Sequence, residues 1–278
     1  MKKKGSFTTI LLILIFVAGL SLLLYPSFAN YWNSLHASKA IATYADAVAK
    51  LEDDEFGRMW QEAIEYNNDL NSRTNEYVLS PEEKARYESV LNIGGSGVMG
   101  YIEIESIDVS LPIYHGTSDG VLQVAVGHLD WTNLPIGGTS THCVLSGHRG
   151  LPSAKLFTDL DDLKEGDTFT LDILDEVLTY EVDQIRIVLP SEVSNLVVVD
   201  GKDYCTLVTC TPYGINTHRL LVRGHRIETE HIGTVRVVSE AVVVDPLIIA
   251  PIVAIPMVLG LVGIVLTRNP KKKRKMNL

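Results

Sequence analysis

The sequence is poor in cysteine and in positive charge. Its 278 residues include three cysteines, too few for the disulfide framework of a small secreted scaffold. Lysine and arginine together number 24 against 34 aspartates and glutamates, which gives a net charge of −10 at pH 7. Nucleic-acid binders need basic side chains clustered along one face, so this balance argues against nucleic acid as a partner. The sequence also lacks internal repeats and low-complexity segments.

Both ends of the chain carry long apolar runs with basic flanks. Residues 7–24 are almost wholly apolar and follow three lysines, and residues 246–267 carry no charge and precede a basic tail at 268–278. Each run is long enough to cross a bilayer as a helix, and basic flanks favour the cytoplasmic side. We therefore predict a C-terminal transmembrane helix and an exported middle. The N-terminal segment 1–29 fits a retained anchor and a cleaved signal peptide equally well.

The exported middle is predicted to begin with a helical, membrane-proximal region at residues 30–96. Apolar residues recur there at three- and four-residue steps. The run Ser80–Glu83 has the cap, the first-turn proline and the returning glutamate of a helix start. This region is expected to be either a spacer or a regulatory element.

Residues 97–230 contain short runs rich in β-branched residues that are separated by turn sequences. This pattern predicts a mainly β domain, a closed antiparallel barrel of about eight strands. Residues 231–245 would link it to the C-terminal helix. Strands are predicted at 98–104, 107–111, 142–146, 168–173, 177–188, 204–210 and 220–227.

The three cysteines cannot all pair within the chain, so at least one is a free thiol or forms an intermolecular link. Cys205 and Cys210 lie five residues apart on one predicted strand, on opposite faces and too far apart to bond. Cys143 could meet either of them, or be a packed residue of its strand.

Cys210 stands where a nucleophile would be well placed, at the rim end of an apolar strand. Arg219 returns beside it after a hairpin loop. A neighbouring guanidinium favours the thiolate and can hold a developing oxyanion. By itself, a single cysteine is more often an inert buried residue.

His148 is the candidate proton partner of that thiol. It follows the strand 142–146 and is flanked by Gly147 and Gly150 in the motif Ser-Gly-His-Arg-Gly. At this position it could protonate a leaving amine and deprotonate an incoming one. His142 lies within the strand and is expected to be packed or solvated. The spacing of histidines and cysteines predicts neither a metal site nor a cofactor.

Four motifs resemble those of the sortase family, and most closely its class C, the pilus-assembling sortases. The motifs are Gly97–Ile104, Leu111–Thr117, Ser146–Gly150 and Thr206–Leu220. The last motif begins with Thr-Leu-Val-Thr-Cys, and an arginine follows nine residues after its cysteine. The resemblance covers about residues 97–227, and the C-terminal span is also typical of class C.

The resemblance implies a sortase β-barrel and a cysteine transpeptidase. Cys210 would attack the Thr–Gly bond of a Leu-Pro-x-Thr-Gly-like sorting signal and form a thioester. His148 would act as general acid and then as base, while Arg219 would position the substrate and stabilise the oxyanion. Thr209 would shape the substrate site through its hydroxyl or amide, or be a plain strand residue.

The partners implied by the resemblance are the membrane and pilin subunits, which the enzyme would join through a lysine by isopeptide bonds. The implied location is the cell membrane, with the catalytic domain on the extracytoplasmic face of a Gram-positive-type cell. Three alternatives stay open. They are an anchoring sortase that uses a cell-wall precursor as acceptor, a membrane-tethered scaffold with a degenerate site, and a hydrolytic cysteine protease.

The sequence departs from class C in one respect. Many class C sortases carry a lid before the barrel, with an Asp-Pro-aromatic motif that occupies the active site. Between Asn67 and Gly97 the only proline is Pro81, and it follows Ser80. The sequence therefore predicts an accessible Cys210, which a thiol reagent should label faster than a buried thiol.

Overall fold

A computed structural model describes residues 4–73 and 78–229. They fall into two units, with a boundary between Ala29 and Asn30. In this part of the chain one helix is long and apolar enough to cross a membrane, at Leu11–Val48, with a mean hydropathy of 2.3. A signal sequence would pass the same test. The predicted linker 231–245, the C-terminal helix 246–267 and the tail 268–278 lie outside the described residues.

Helices precede the strands in chain order, and one short helix lies between the second and third strands. The helices are α1 (Lys4–Val48), α2 (Asp53–Asn71), α3 (Pro81–Ser89) and α4 (Asp119–Leu122). The strands are β1 (Val98–Ile104), β2 (Val109–His115), β3 (Val126–His128), β4 (Thr141–Ser146), β5 (Thr168–Ile173), β6 (Glu176–Val188), β7 (Asp203–Thr211) and β8 (His218–Arg226).

The eight strands form a closed barrel in the order β1-β2-β3-β4-β7-β8-β6-β5, and β5 pairs back to β1. The predicted mainly β, eight-stranded closed barrel is confirmed. The expectation that it is antiparallel throughout is wrong, because β2 pairs with β3 and β4 with β7 in parallel. Parallel neighbours need a crossover. The connection through α4 is the crossover from β2 to β3. The segment containing the β5–β6 hairpin is the crossover from β4 to β7.

The second and third strands differ most from the sequence prediction. The second strand begins at Val109 instead of residue 107, because Glu105–Ile107 forms a 3₁₀ turn and Asp108 adopts a left-handed conformation with φ of 53°. Strand β3 was not predicted. It has only three residues, fewer than an alternating pattern needs to be recognised.

The predicted helix start at Ser80 is confirmed. The Glu83 amide donates to the Ser80 hydroxyl at 3.2 Å, and the Ser80 amide donates to the Glu83 carboxylate at 2.8 Å. Together they satisfy two amides at the start of α3. The helical pattern before it is interrupted near Leu51, which separates α1 from α2.

The helical region shares a core with the barrel. Tyr44, Tyr66 and Tyr87, from three different helices, are buried in the same apolar cluster as the barrel interior. The Tyr44 hydroxyl donates to the Met99 carbonyl at 2.8 Å and accepts from the Leu174 amide at 2.7 Å. Burial raises the pKa of Tyr44, so its hydroxyl keeps the proton that it donates. The helices are therefore part of the folded body and more than a spacer.

Candidate active site

Cys210 lies on the outer face of the barrel near the end of β7. Side chains alternate between the two faces of a strand. Cys205 and Leu207 belong to the main core inside the barrel, whereas Val208 belongs to a second apolar cluster outside it. Cys210 shares the face of Val208 and is half-buried. The end of this strand thus holds the thiol on a rigid element with one side open to solvent.

Arg219 stands directly opposite Cys210 on β8. The antiparallel register pairs these two residues, and opposite Cβ atoms in such pairs lie about 4.5–5.5 Å apart. The Nη1 atom of Arg219 donates to the carbonyls of Asn216 and His218, at 3.3 and 3.1 Å. Because both bonds leave from Nη1, they do not engage the Nε and Nη2 donors. The guanidinium is thereby tied to the hairpin loop beside the thiol.

His148 reaches the same place from the other side of β7. The parallel register pairs Ser146 with Val208, and the Gly147 amide donates to the Val208 carbonyl at 3.0 Å. Two residues further along each chain are His148 and Cys210, so both lie at the same end of this strand pair. The structure thus places Cys210 on β7, Arg219 opposite it on β8, and His148 just beyond the end of the neighbouring β4.

Gly147 lets the chain turn at this point. A Cβ atom at this position would lie 2.6–2.8 Å from ring atoms of Phe157, which is fully buried. The Phe157 amide donates to the His148 carbonyl at 3.1 Å, so the loop after β4 folds closely over this ring. Any side chain at position 147 would force either the Phe157 ring or the backbone beside His148 to move.

Comparisons with known proteins identify the family of this chain. The Sortase domain model matches residues 102–227. The sortase C1 structure from Streptococcus agalactiae is 52% identical, covers 69% of this chain and 100% of its own, and has a TM-score of 0.68. The chain belongs to the sortase family, in its class C. Sortases are cysteine transpeptidases, so the predicted family and enzyme class are confirmed.

Two further sortase C structures cover 69% of this chain. The Streptococcus pneumoniae structure is 42% identical, is covered over 97% of its own length and has a TM-score of 0.63. It is described as giving insights into catalysis and pilin substrate specificity. The Clostridium perfringens structure contains the C-terminal cell wall sorting motif. It is 47% identical, is covered over 100% of its own length and has a TM-score of 0.62.

Thr209 connects the nucleophile strand of this sortase to the histidine loop. Its buried hydroxyl donates to the Gly147 carbonyl at 2.7 Å, one residue before His148. The sequence left open whether this threonine contributes through its hydroxyl, through its amide or only as a strand residue. The hydroxyl contact indicates that Thr209 helps to place the histidine.

Thr209→Val should impair this sortase in both stability and rate. Valine keeps the shape but leaves the buried Gly147 carbonyl without its donor, which costs about 1–3 kcal/mol. We expect a melting temperature lower by about 3–10 °C and a kcat lower by about tenfold, with a smaller change in KM. Thr209→Ser keeps the hydroxyl and should restore most of kcat. Equal rates for the valine and serine variants would contradict the positioning role.

Arg149 was not singled out from the sequence, yet it joins the two loops that flank the site. Its side chain is only 10% exposed and forms an ion pair with Asp161. Nη1 lies 3.4 Å from the Thr211 hydroxyl, and the guanidinium lies 5.9 Å from the centre of the Tyr213 ring. These partners are 12 to 64 residues away in sequence, so local motifs could suggest only its position beside His148.

Arg149→Ala should lower kcat/KM by about tenfold, because the histidine loop and the β7–β8 loop lose their shared contact. Arg149→Lys should rescue little, since a lysine cannot reproduce the planar fork that spans Asp161, Thr211 and the ring. Steady-state kinetics with a sorting-signal peptide measure the effect. Arg58→Ala is the matched control, an exposed arginine on α2 paired with Glu55, and should change kcat/KM less than twofold.

His142 is a structural residue, as predicted for a packed histidine. It is buried, its Nδ1 donates to the Val197 carbonyl at 2.9 Å, and its Nε2 accepts from the Thr206 hydroxyl at 2.7 Å. Burial lowers the pKa of His142 to about 4, so the ring is neutral at ordinary pH. Within residues 4–73 and 78–229, no group of three histidine, cysteine or acidic side chains is arranged to hold a metal ion.

Proposed function

We propose that this sortase cleaves a Leu-Pro-x-Thr-Gly-like sorting signal between threonine and glycine and joins the pilin to a lysine of the next subunit. The observation that carries the proposal is the strand register, which pairs Cys210 with Arg219 and aligns the end of β4, two residues before His148, with the same end of β7. The similarity to one sortase C structure concerned with pilin substrate specificity and to another with the C-terminal cell wall sorting motif supports the substrate class.

In the first half-reaction the Cys210 sulfur attacks the threonine carbonyl carbon. The carbonyl oxygen gains negative charge, which the Arg219 guanidinium is placed to stabilise. Collapse of this tetrahedral species breaks the bond to the glycine nitrogen. His148 gives a proton to that nitrogen, the glycine-bearing segment leaves as an amine, and the pilin stays on Cys210 as a thioester.

In the second half-reaction the lysine amine of another pilin attacks the thioester carbonyl. His148, now without its proton, accepts one from the attacking nitrogen. The carbon–sulfur bond breaks and the thiolate of Cys210 is regenerated. One peptide bond has been exchanged for one isopeptide bond, with no net consumption of water.

The surface beside Cys210 suits an apolar peptide. Val144, Val208 and Leu221 are buried in an apolar cluster on the outer face of β4, β7 and β8. Ile187 and Leu189 flank Val188, the register partner of Arg219, and are 64% and 47% exposed. An extended Leu-Pro segment would bury apolar area there as its threonine reached the thiol.

The proposed location is the membrane, with the catalytic barrel on the extracytoplasmic face. The apolar helix at Leu11–Val48 supports membrane attachment. An exported enzyme would meet pilins and their sorting signals outside the cytoplasm.

The test is intact mass spectrometry of the full chain in detergent, mixed with a sorting-signal peptide and a lysine-bearing pilin. We expect a peptide-sized adduct on Cys210 that resolves into a peptide–pilin isopeptide. Transfer only to glycine or a cell-wall amine would point to an anchoring sortase, and release only to water would indicate a protease. A complete absence of adduct would favour a scaffold.

A further inference from the structure

The two cysteines that the catalytic proposal does not use are direct neighbours inside the barrel. Cys143 on β4 and Cys205 on β7 are register partners in the parallel strand pair. They are 2% and 0% exposed and belong to the same apolar core. The sequence left open which cysteine Cys143 would meet. The structure pairs it with Cys205, since Cys210 lies on the other face of β7.

This placement is close to that of a disulfide. Neighbouring strands lie about 4.8 Å apart, which falls within the Cα separation of roughly 4.4–6.8 Å seen for disulfides. The Cβ atoms of a disulfide lie about 3.8 Å apart, roughly 1 Å closer than the strand spacing. Bond formation would therefore draw β4 and β7 slightly together. Such strain makes a disulfide easier to reduce.

We propose that Cys143 and Cys205 are a reversible disulfide site, oxidised by exchange with an external disulfide while the barrel is open or folding. One thiolate attacks the external disulfide, forms a mixed disulfide and releases one external thiol. The second cysteine then displaces the remaining external thiol as the internal bond forms. Two protein thiols become one disulfide, and their two protons and two electrons convert the external disulfide into two thiols.

In the folded barrel the two thiols are hydrogen-bonded to each other, and Cys143 also bonds to His128. Burial raises the pKa of both thiols, and that of Cys205 is well above its ordinary value. In Cys143 the effect of burial is outweighed by hydrogen bonds with Cys205 and with His128, which lower its pKa to about 6. His128 is fully buried and bonded to Tyr87 and to the Asn133 carbonyl, so its ring is held in place.

The bond would join the two strands that lead to the catalytic residues. Cys143 precedes His148 by five residues, and Cys205 precedes Cys210 by five residues. The cross-link would close a loop of about 62 residues and so restrict the unfolded chain. The inference depends only on the geometry of this pair, and it stands or falls separately from the transpeptidase proposal.

The test uses the full-length chain with Cys210→Ala, purified in detergent, so that only the pair remains. The protein is refolded with either reduced or oxidised glutathione, then denatured, treated with N-ethylmaleimide and weighed by mass spectrometry. We expect two labels after reduction and none after oxidation, without added glutathione mass. Cys143→Ala with Cys210→Ala, the matched control, has one thiol and cannot form an internal bond.

The melting temperature distinguishes a native disulfide from one that is trapped in a misfolded chain. The oxidised protein should melt about 3–10 °C above the reduced protein. Two labels under both conditions, a glutathione adduct in place of the internal bond, or a lower melting temperature after oxidation would each overturn the proposal. Repeating the comparison with Cys210→Ser guards against a folding defect of the alanine variant.

Discussion

Cys210→Ala should abolish both the thioester adduct and the joined product, with a loss of rate of at least about 10⁴-fold. Cys210 is the register partner of Arg219, and no other thiol of the described residues shares its outer face. Without sulfur, the two remaining groups have no nucleophile to activate. Intact mass spectrometry with a sorting-signal peptide measures the adduct, and product formation measures the rate.

Cys205→Ala is the matched control for this prediction. It removes a thiol from the same strand, but from the buried face inside the barrel. The variant should lose some stability, because a fully buried sulfur is replaced by a smaller side chain. Its rate at 25 °C should stay within about threefold of the parent. A Cys210→Ala protein that still formed the adduct would show that another residue is the nucleophile.

The parts of the site that are local in sequence could be predicted without the structure. The apolar run that ends at Cys210 indicates a buried strand with its last residue at the rim, and the short hairpin returns Arg219 to its side. The same holds for the helix start at Ser80, where cap and glutamate are three residues apart. In each case the interacting groups are separated by fewer than ten residues, so spacing alone constrains them.

The relation between His148 and Cys210 could not be derived in this way. It depends on the parallel pairing of β4 with β7, which places Ser146 beside Val208 across 62 residues of chain. Alternating apolar residues show that a strand has a buried face, but they do not identify its neighbour or its direction. For the same reason the barrel could be predicted as closed, whereas its two parallel pairs could not.

Arg219→Ala should lower kcat by about 10²–10³-fold with little change in KM, the range observed when one oxyanion donor is removed. The register places Arg219 opposite Cys210, and in the proposed mechanism negative charge develops there on the attacked carbonyl oxygen. Arg219→Lys keeps the charge but not the planar donor set, so it should recover only part of the rate. Steady-state kinetics of peptide cleavage and transfer measure both parameters.

Arg223→Lys is the matched control on the same strand and face. Arg223 donates through Nε and Nη2 to the Asp183 carboxylate, both at 2.9 Å, and lies 4.1 Å from the centre of the Tyr204 ring. Its replacement should lower the melting temperature because these contacts are structural. The rate should change less than threefold, since this arginine lies four residues away from Arg219 along β8.

The pH dependence separates two ways in which Arg219 could act. If the guanidinium served mainly to favour the thiolate of Cys210, raising the pH would restore the rate of the alanine variant. If it stabilises the oxyanion, the rate stays low at every pH, because the missing donor is needed after the thiolate has formed. We expect the second result. Recovery of the parental rate at alkaline pH would instead assign Arg219 to activation of the nucleophile.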